Sequence, residues 1–185
     1  IKSGLKAGEK LATNGHLTSE NGVFNLVMQQ DWNLVLYKFA TPIWSTGTFD
    51  GWSTGTKPEL FFDKNSGVLK IQGPNSARIH EVIYPNAKYS GDAQLRINNN
   101  GTIDIIGSNN QELWRPSELI PLSDTFNSDH VFTSSDVLVS KNGVYSLILG
   151  EDCILALYKG AIPIWTPGTY SSRFGGECEL RLNEK

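Results

Sequence analysis

The sequence predicts an all-β fold built from two copies of one unit. Asn-Gly pairs begin at residues 14, 21, 100 and 142, next to stretches in which apolar residues alternate with polar ones. Such pairs are the strongest short-range signal for a tight β-hairpin turn. Helical periodicity is absent. A second copy follows at an offset of 121 residues, which relates Asp31 to Asp152, Tyr37 to Tyr158 and Trp44 to Trp165. A fixed offset of this kind indicates a duplicated domain.

The first copy contains a shorter period. Three segments, residues 34–37, 67–71 and 101–106, each form the end of a predicted strand. Their last residues are 34 and 35 positions apart, which indicates three sub-repeats. Residues 110–120 look helical but are interrupted by Pro116, so we expect them to join the domains. The predicted domains are therefore residues 1–118 and 119–185. Only 64 positions (185 − 121) of the second copy are present, so we expect that the protein continues, was cleaved, or is completed by another chain.

Composition and charge exclude several classes of function. The formal charge of −3, from 16 basic and 19 acidic residues, gives no reason to expect a nucleic-acid partner. No run approaches the roughly 18 apolar residues of a membrane span, so membrane insertion is not expected. The three histidines are scattered, and residues 63–67 resemble a calcium loop but have Pro74 where its acidic twelfth residue belongs. No nucleophile and base can be assembled from spacing. We therefore predict no catalytic residues, no metal, no cofactor and no enzyme activity.

Polar residues at two-residue spacing mark one candidate binding surface within residues 28–37. In an extended chain this spacing places five side chains on one face, and they are Gln29, Asp31, Asn33, Val35 and Tyr37. Trp32, Leu34 and Leu36 would then face the core. Amides, a carboxylate and a phenol suit a neutral sugar, whose hydroxyls both donate and accept hydrogen bonds. The alternative is the polar outer face of an ordinary antiparallel strand.

This Gln-x-Asp-x-Asn-x-Val-x-Tyr pattern resembles the mannose-binding signature of the bulb-type (monocot, snowdrop-like) lectins, and residues 8–11 and 42–48 resemble that family's flanking strands. The resemblance implies a β-prism II fold, a threefold arrangement of antiparallel sheets, duplicated with an incomplete second copy. It implies binding of terminal α-mannose or mannose-rich glycans without metal, and homo-oligomers formed by strand exchange. Asp31 and Asn33 would hold the 2-hydroxyl, Gln29 the 3-hydroxyl and Tyr37 the 4-hydroxyl, with Val35 against the ring.

The other copies of the signature are degraded. The second domain keeps Asp152 and Tyr158 but has Gly150, Ile154 and Ala156 at the remaining positions, so we expect a degenerate site there. The aligned positions of the second sub-repeat are Asp63, Asn65, Gly67, Leu69 and Ile71, and those of the third are Asn98, Asn100, Thr102, Asp104 and Ile106. Neither set keeps the pattern. Only residues 29–37 are predicted to form a competent site.

The resemblance also implies a disulfide between Cys153 and Cys178, because the family pairs cysteines at these places. We therefore expect an oxidising compartment, secreted or otherwise extracytoplasmic. The alternative is two buried reduced cysteines. In the first domain Trp32 replaces the first cysteine and is expected in the core, whereas Trp44 and Trp114 match two of the family's three central tryptophans.

Two other functions remain open at this point. Tandem domains of this fold with one degenerate half also occur in lectin-like bacterial toxins. A protein-binding scaffold is the other alternative, since three of the four visible sites are degraded. The complete signature of the first site argues against the scaffold.

Overall fold

The computed structural model describes residues 2–49, 56–74, 79–85, 89, 91–119, 122–134, 136–150, 152–167 and 178–182. These residues form antiparallel β-sheets with a short 3₁₀ helix at Ser108–Asn110. None of their helices has the length and apolar character needed to cross a membrane. The predicted all-β class is confirmed.

The first copy consists of three four-stranded sheets that surround one core. The first sheet contains β3 (His16–Thr18), β4 (Phe24–Met28), β5 (Leu34–Lys38) and β6 (Thr41–Ser45) in that order. The second contains β2 (Lys10–Leu11), β7 (Glu59–Phe62), β8 (Leu69–Gln72) and β9 (Ile79–Ile83). The third contains β1 (Gly4–Lys6), β10 (Ala93–Ile97), β11 (Ile103–Gly107) and β12 (Glu112–Trp114). This threefold arrangement confirms the predicted β-prism.

The second copy repeats the first sheet strand for strand. Its four-stranded sheet contains β14 (Val137–Val139), β15 (Tyr145–Leu149), β16 (Leu155–Lys159) and β17 (Ile162–Trp165). The pairing of Val137 with Ile148 repeats that of His16 with Val27 at the offset of 121 residues. A further pair, β13 (Phe132–Thr133) with β18 (Glu179–Leu180), repeats the pairing of β2 with β7. The duplication is thus structural, and the described part of the second copy is incomplete.

The two copies share a hydrophobic core. Alternate residues of each strand are buried, as in β4, where Phe24, Leu26 and Met28 are inaccessible to solvent. Val139 and Ile148 of the second copy belong to the same buried cluster as the first copy's core. Burial of apolar surface, which contributes about 25 cal/mol per Å², therefore couples the two units.

A buried polar cluster at Asn21 also joins the copies. The Asn21 side-chain amide donates to Asn99 O at 3.0 Å within the first copy and to Ser146 Oγ at 2.8 Å in the second copy. Asn99 Nδ2 donates to Gly143 O at 2.6 Å. Asn21, Asn99 and Ser146 are each less than a tenth exposed, so these bonds satisfy groups that water does not reach.

One segment differs in part from the sequence-based expectation. The stretch expected to join the domains contains strand β12, because Glu112–Trp114 pairs with β11. Pairing with a neighbouring strand, which sequence pattern alone does not show, decides the local structure there.

The predicted disulfide between Cys153 and Cys178 is present, with Cα atoms 5.3 Å apart. It ties the turn between β15 and β16 to the residue before β18. In the first copy Trp32 occupies the matching turn position and is 1% exposed, which confirms its predicted burial. Its indole N–H donates to Thr56 Oγ1 at 3.0 Å. Packing and this hydrogen bond thus connect, in the first copy, the regions that the disulfide connects in the second.

Candidate functional site

Residues 29–37 form the end of a hairpin, and the prediction of one continuous strand is wrong. Strand β4 ends at Met28 and β5 begins at Leu34. Between them Gln29 N donates to Asn33 O at 2.9 Å, and Trp32 has a φ of 72°. The Asp31 carboxylate accepts the Asn33 N–H at 3.0 Å and holds the turn. The turn reverses the chain, so strict alternation does not place the five side chains.

The hairpin nevertheless gathers four of the five predicted residues around one depression of about 340 Å³. The lining residues are Gln29, Asn33, Val35, Tyr37, Pro42, Trp44 and Ser45. Asp31 is absent from this lining and lies at the turn. The depression is therefore made by the turn, by the outward face of β5 and by the edge strand β6.

Sequence reasoning missed the contribution of β6 to this lining. A β-bulge between Leu36 and Tyr37 shifts the pairing, so that Tyr37 lies opposite Pro42 while Leu36 lies opposite Trp44. The segment 42–48 carried the only available signal, because it resembles the flank of the lectin signature. Its role as a wall of the depression depends on the bulge, which the spacing of residues does not reveal.

Internal hydrogen bonds orient the polar groups. Gln29 Nε2 donates to Tyr37 Oη at 2.6 Å, and Thr46 Oγ1 donates to Asn33 Oδ1 at 3.1 Å. Among the residues described, no protein group bonds to Gln29 Oε1 or Asn33 Nδ2, and the Tyr37 hydroxyl keeps its own proton for donation. One acceptor and two donors therefore remain available in the depression, beside the apolar side chain of Val35.

A threonine pair supports Asn33 from behind. Thr46 Oγ1 lies 2.8 Å from Thr48 Oγ1 and accepts the Leu34 N–H at 3.1 Å. Thr48 Oγ1 donates to Trp32 O at 2.6 Å. The bond from Thr46 Oγ1 orients Asn33 Oδ1 toward the threonine pair, which leaves Nδ2 available for a ligand.

The corresponding hairpin of the second copy has the same backbone but fewer polar side chains. Gly150 N donates to Ile154 O at 2.9 Å, and Asp152 Oδ1 accepts the Ile154 N–H at 3.1 Å. Asp152 thus caps the turn as Asp31 does. Gly150 and Ile154 replace the two amides of the first copy, so Tyr158 lacks a partner equivalent to Gln29.

The second sub-repeat has a longer turn. The sequence-based alignment of the residues that follow this turn is therefore wrong by one position. Asp63 N donates to Val68 O at 2.9 Å, which gives a turn of six residues instead of five. Lys70 and Gln72 therefore take the places of Val35 and Tyr37. Leu69 and Ile71, placed there by the sequence, are fully buried core residues.

An ion-pair network fills that second sub-repeat. Lys70 Nζ lies 2.9 Å from Asp63 Oδ2 and 3.3 Å from Glu81 Oε1. The hydrogen bond from Lys70, aided by the Asn65 N–H, lowers the pKa of Asp63 from 3.8 to about 2. The charged groups of this sub-repeat are thus paired with one another.

The third sub-repeat keeps its predicted alignment, but its polar side chains also hydrogen bond to one another. Asn98 N donates to Thr102 O at 2.9 Å, which reproduces the five-residue turn of the first sub-repeat. The Arg96 guanidinium donates to both oxygens of the buried Asp104, at 2.9 and 3.0 Å. Asn98 Nδ2 donates to Asp104 Oδ2 at 3.0 Å. Little hydrogen-bonding capacity remains there for a ligand.

Known proteins resemble this chain in sequence and in fold. No protein-family model matches the sequence. The chain is 30% identical to mannose-specific lectin TAR1 of Colocasia esculenta over 190 residues, which are 98% of this chain and 76% of that protein. It is 30% identical to mannose-specific lectin 2 of the same plant, over 98% of this chain and 67% of that protein.

Among solved structures, a monomeric monocot mannose-binding lectin from Gastrodia elata superposes with a TM-score of 0.54 at 24% identity. The match covers 64% of this chain and all of that one. The fold is therefore the β-prism II of the bulb-type lectins. By its sequence similarity the chain belongs to the family of monocot mannose-specific lectins.

Proposed function

We propose that the chain is a carbohydrate-binding lectin that recognises terminal α-mannose through the depression between the hairpin turn and β6. The observation that carries the proposal is the convergence of Gln29, Asn33, Val35 and Tyr37 on that depression. Their available groups are one acceptor and two donors beside an apolar side chain. A sugar ring, with hydroxyls at its rim and C–H groups on its faces, matches this arrangement.

Each side chain then has a role. Asn33 Nδ2 donates to the axial 2-hydroxyl that distinguishes mannose from glucose, Gln29 Oε1 accepts from the 3-hydroxyl, and the Tyr37 hydroxyl binds the 4-hydroxyl. Val35 contacts the ring carbons. Asp31 uses Oδ1 to hold the turn. Because Asp31 does not line the depression, its part in this proposal is to position Asn33 through the Asn33 N–H.

Binding proceeds without a metal ion in this proposal, because protein groups supply every contact to the sugar. The described residues contain no group of three or more His, Cys, Asp or Glu side chains that could hold a metal. Binding should therefore survive dialysis against EDTA. A loss that added calcium restores would contradict this part of the proposal.

Organisation and location complete the proposal. The domains divide near residue 118, and only the first carries a competent site. A shallow single site gives modest affinity, so useful avidity comes from several chains, assembled by strand exchange between second domains. The disulfide supports a secreted or otherwise extracytoplasmic location, since such bonds persist in oxidising compartments.

Calorimetric titration with methyl α-mannoside and methyl α-glucoside tests the function. Asn33→Ala should weaken mannoside binding about 5- to 150-fold, because an unmatched hydrogen-bonding group costs about 1–3 kcal/mol. Ile154→Ala, the equivalent change in the second domain, is the matched control and should leave binding unchanged. Failure of the unaltered chain to bind the mannoside, or full binding by Asn33→Ala, would refute the proposal.

A further inference from the structure

A second depression adjoins the proposed site at strand β6. It has a volume of about 300 Å³, and Trp44 and Ser45 line both it and the first depression. Thr46 also lines the second depression, and its hydroxyl donates to Asn33 Oδ1. The two depressions are therefore neighbours along one short stretch of β6.

The second depression arises from unequal side chains on the three sheets. The fourth strands β6, β9 and β12 bring Trp44, Ile83 and Trp114 to it. The two indoles pack edge to face with centroids 6.2 Å apart. On β9 the smaller Val82 and Ile83 line the same depression, so the third sheet contributes aliphatic side chains where the other two contribute indoles.

Unused polar groups surround this opening. Ser45, Ser117 and Glu118 line it and are exposed, and none of their side chains hydrogen bonds to another described residue. Two hydroxyls and a carboxylate can thus serve an incoming ligand. The Arg115 guanidinium in the same wall is paired with Glu112 at 2.6 Å. Glu118 is then the unpaired charge, which disfavours an acidic ligand and leaves acceptors for a neutral one.

We propose that this second depression is a subsite for the second neutral hexose of an oligosaccharide whose terminal mannose occupies the first. The inference rests on the proposed function. Each depression is near the lower end of the range for ligand pockets, about 300–1,000 Å³, which suits one ring apiece. Ser117 and Glu118 bind hydroxyls of the second ring, and Ser45 lies beneath the glycosidic linkage.

Calorimetric titration of the unaltered chain with methyl α-mannoside and with α-1,2-, α-1,3- and α-1,6-mannobiose tests the subsite. At least one disaccharide should bind about fivefold or more tightly than the monosaccharide, since one added hydrogen bond of about 1 kcal/mol has this effect. Ser117→Ala and Glu118→Gln should each reduce that gain while leaving methyl α-mannoside binding as it was. Ser66→Ala, an exposed change outside both depressions, is the control and should preserve the gain.

The possible failures are distinguishable. Equal affinity for the monosaccharide and all three disaccharides, or an undiminished gain in both Ser117→Ala and Glu118→Gln, would overturn the subsite and leave the first site standing. Equal weakening of monosaccharide and disaccharide binding by these variants would also overturn it. Absence of any binding by the unaltered chain would refute the proposed function and the subsite with it.

Discussion

Tyr37→Phe removes one hydroxyl from the proposed site and keeps the ring that lines it. In the unaltered protein that hydroxyl accepts a hydrogen bond from Gln29 Nε2 at 2.6 Å. Its loss leaves Gln29 free to rotate and leaves the 4-hydroxyl of the bound sugar without a partner. Two separate costs follow, one in folding and one in binding.

The folding cost should be small. Tyr37 is half-buried, and a hydrogen bond of this kind contributes about 0.5–1.5 kcal/mol net. For a chain of this length a loss of 1 kcal/mol lowers the Tm by about 2–4 °C. The binding cost is larger, about 1–3 kcal/mol for the unmatched sugar hydroxyl, or roughly 5- to 150-fold in Kd.

Tyr158→Phe is the matched control for Tyr37→Phe. Tyr158 lies at the equivalent position of the second copy, where Gly150 stands in place of Gln29 and offers no side-chain donor. Thermal unfolding should show less than about 0.5 kcal/mol of change, and calorimetry should show unaltered mannoside binding. Full binding by a folded Tyr37→Phe protein, or equal weakening by both variants, would refute the assignment of the site.

Three further predictions concern stability. Reduction of the disulfide in the second copy should destabilise that copy by about 3 kcal/mol in the chain-entropy model, measured as a lower urea midpoint; an unchanged midpoint would contradict it. Asp63→Asn should lower the free energy of unfolding by about 1–2 kcal/mol at pH 7. The pKa of Asp63 is lowered to about 2, so its bond to Lys70 stabilises the folded state above the unfolded-state pKa and is lost as the pH falls through about 2. The difference between the variant and the unaltered protein should therefore vanish between about pH 4 and pH 2. A difference independent of pH would exclude this origin. Asn21→Ala should cost about 1–3 kcal/mol while the two copies still unfold in one calorimetric transition. Asn142→Ala, at the equivalent turn of the second copy, removes an exposed side chain and should cost less; equal losses would mean that the buried hydrogen bonds of Asn21 contribute nothing.

The sequence predicts the framework of the fold because its signals are local. Asn-Gly pairs and apolar alternation mark hairpins, and the offset of 121 residues reproduces the pairing of β14 with β15. The resemblance also supplied the pairing of Cys153 with Cys178. The hairpin and repeat signals depend on features that lie within a few residues of each other or recur at a fixed spacing.

The details of the site were beyond the sequence because they depend on backbone conformation and on contacts between distant strands. Trp32 adopts a positive φ within a stretch that reads as a strand, and that turn separates Gln29 from β5. One extra residue in the turn after Asp63 shifts Lys70 and Gln72 by one position. Strict alternation cannot detect either feature, since each changes which face the following side chains occupy.

The role of Trp32 shows how packing in the first copy takes the place of the disulfide in the second copy. Cys153 and Trp32 have similar left-handed φ values, 62° and 72°, at the same turn position. Cys153 is tied to Cys178, whereas Trp32 is buried and donates to Thr56. A buried indole contributes several kcal/mol, comparable with a disulfide of this loop length, so the turn is held firmly in both copies.

Side-chain NMR during titration with methyl α-mannoside tests the central claim most directly, because the spectra report which amides meet the sugar. We expect the side-chain NH₂ signals of Gln29 and Asn33 and the ring signals of Tyr37 to shift together along one binding curve. The ring signals of Tyr158 should remain in place. Shifts centred on Tyr158, or a binding curve that leaves the Gln29 and Asn33 amides unmoved, would contradict the placement of the site in the first domain.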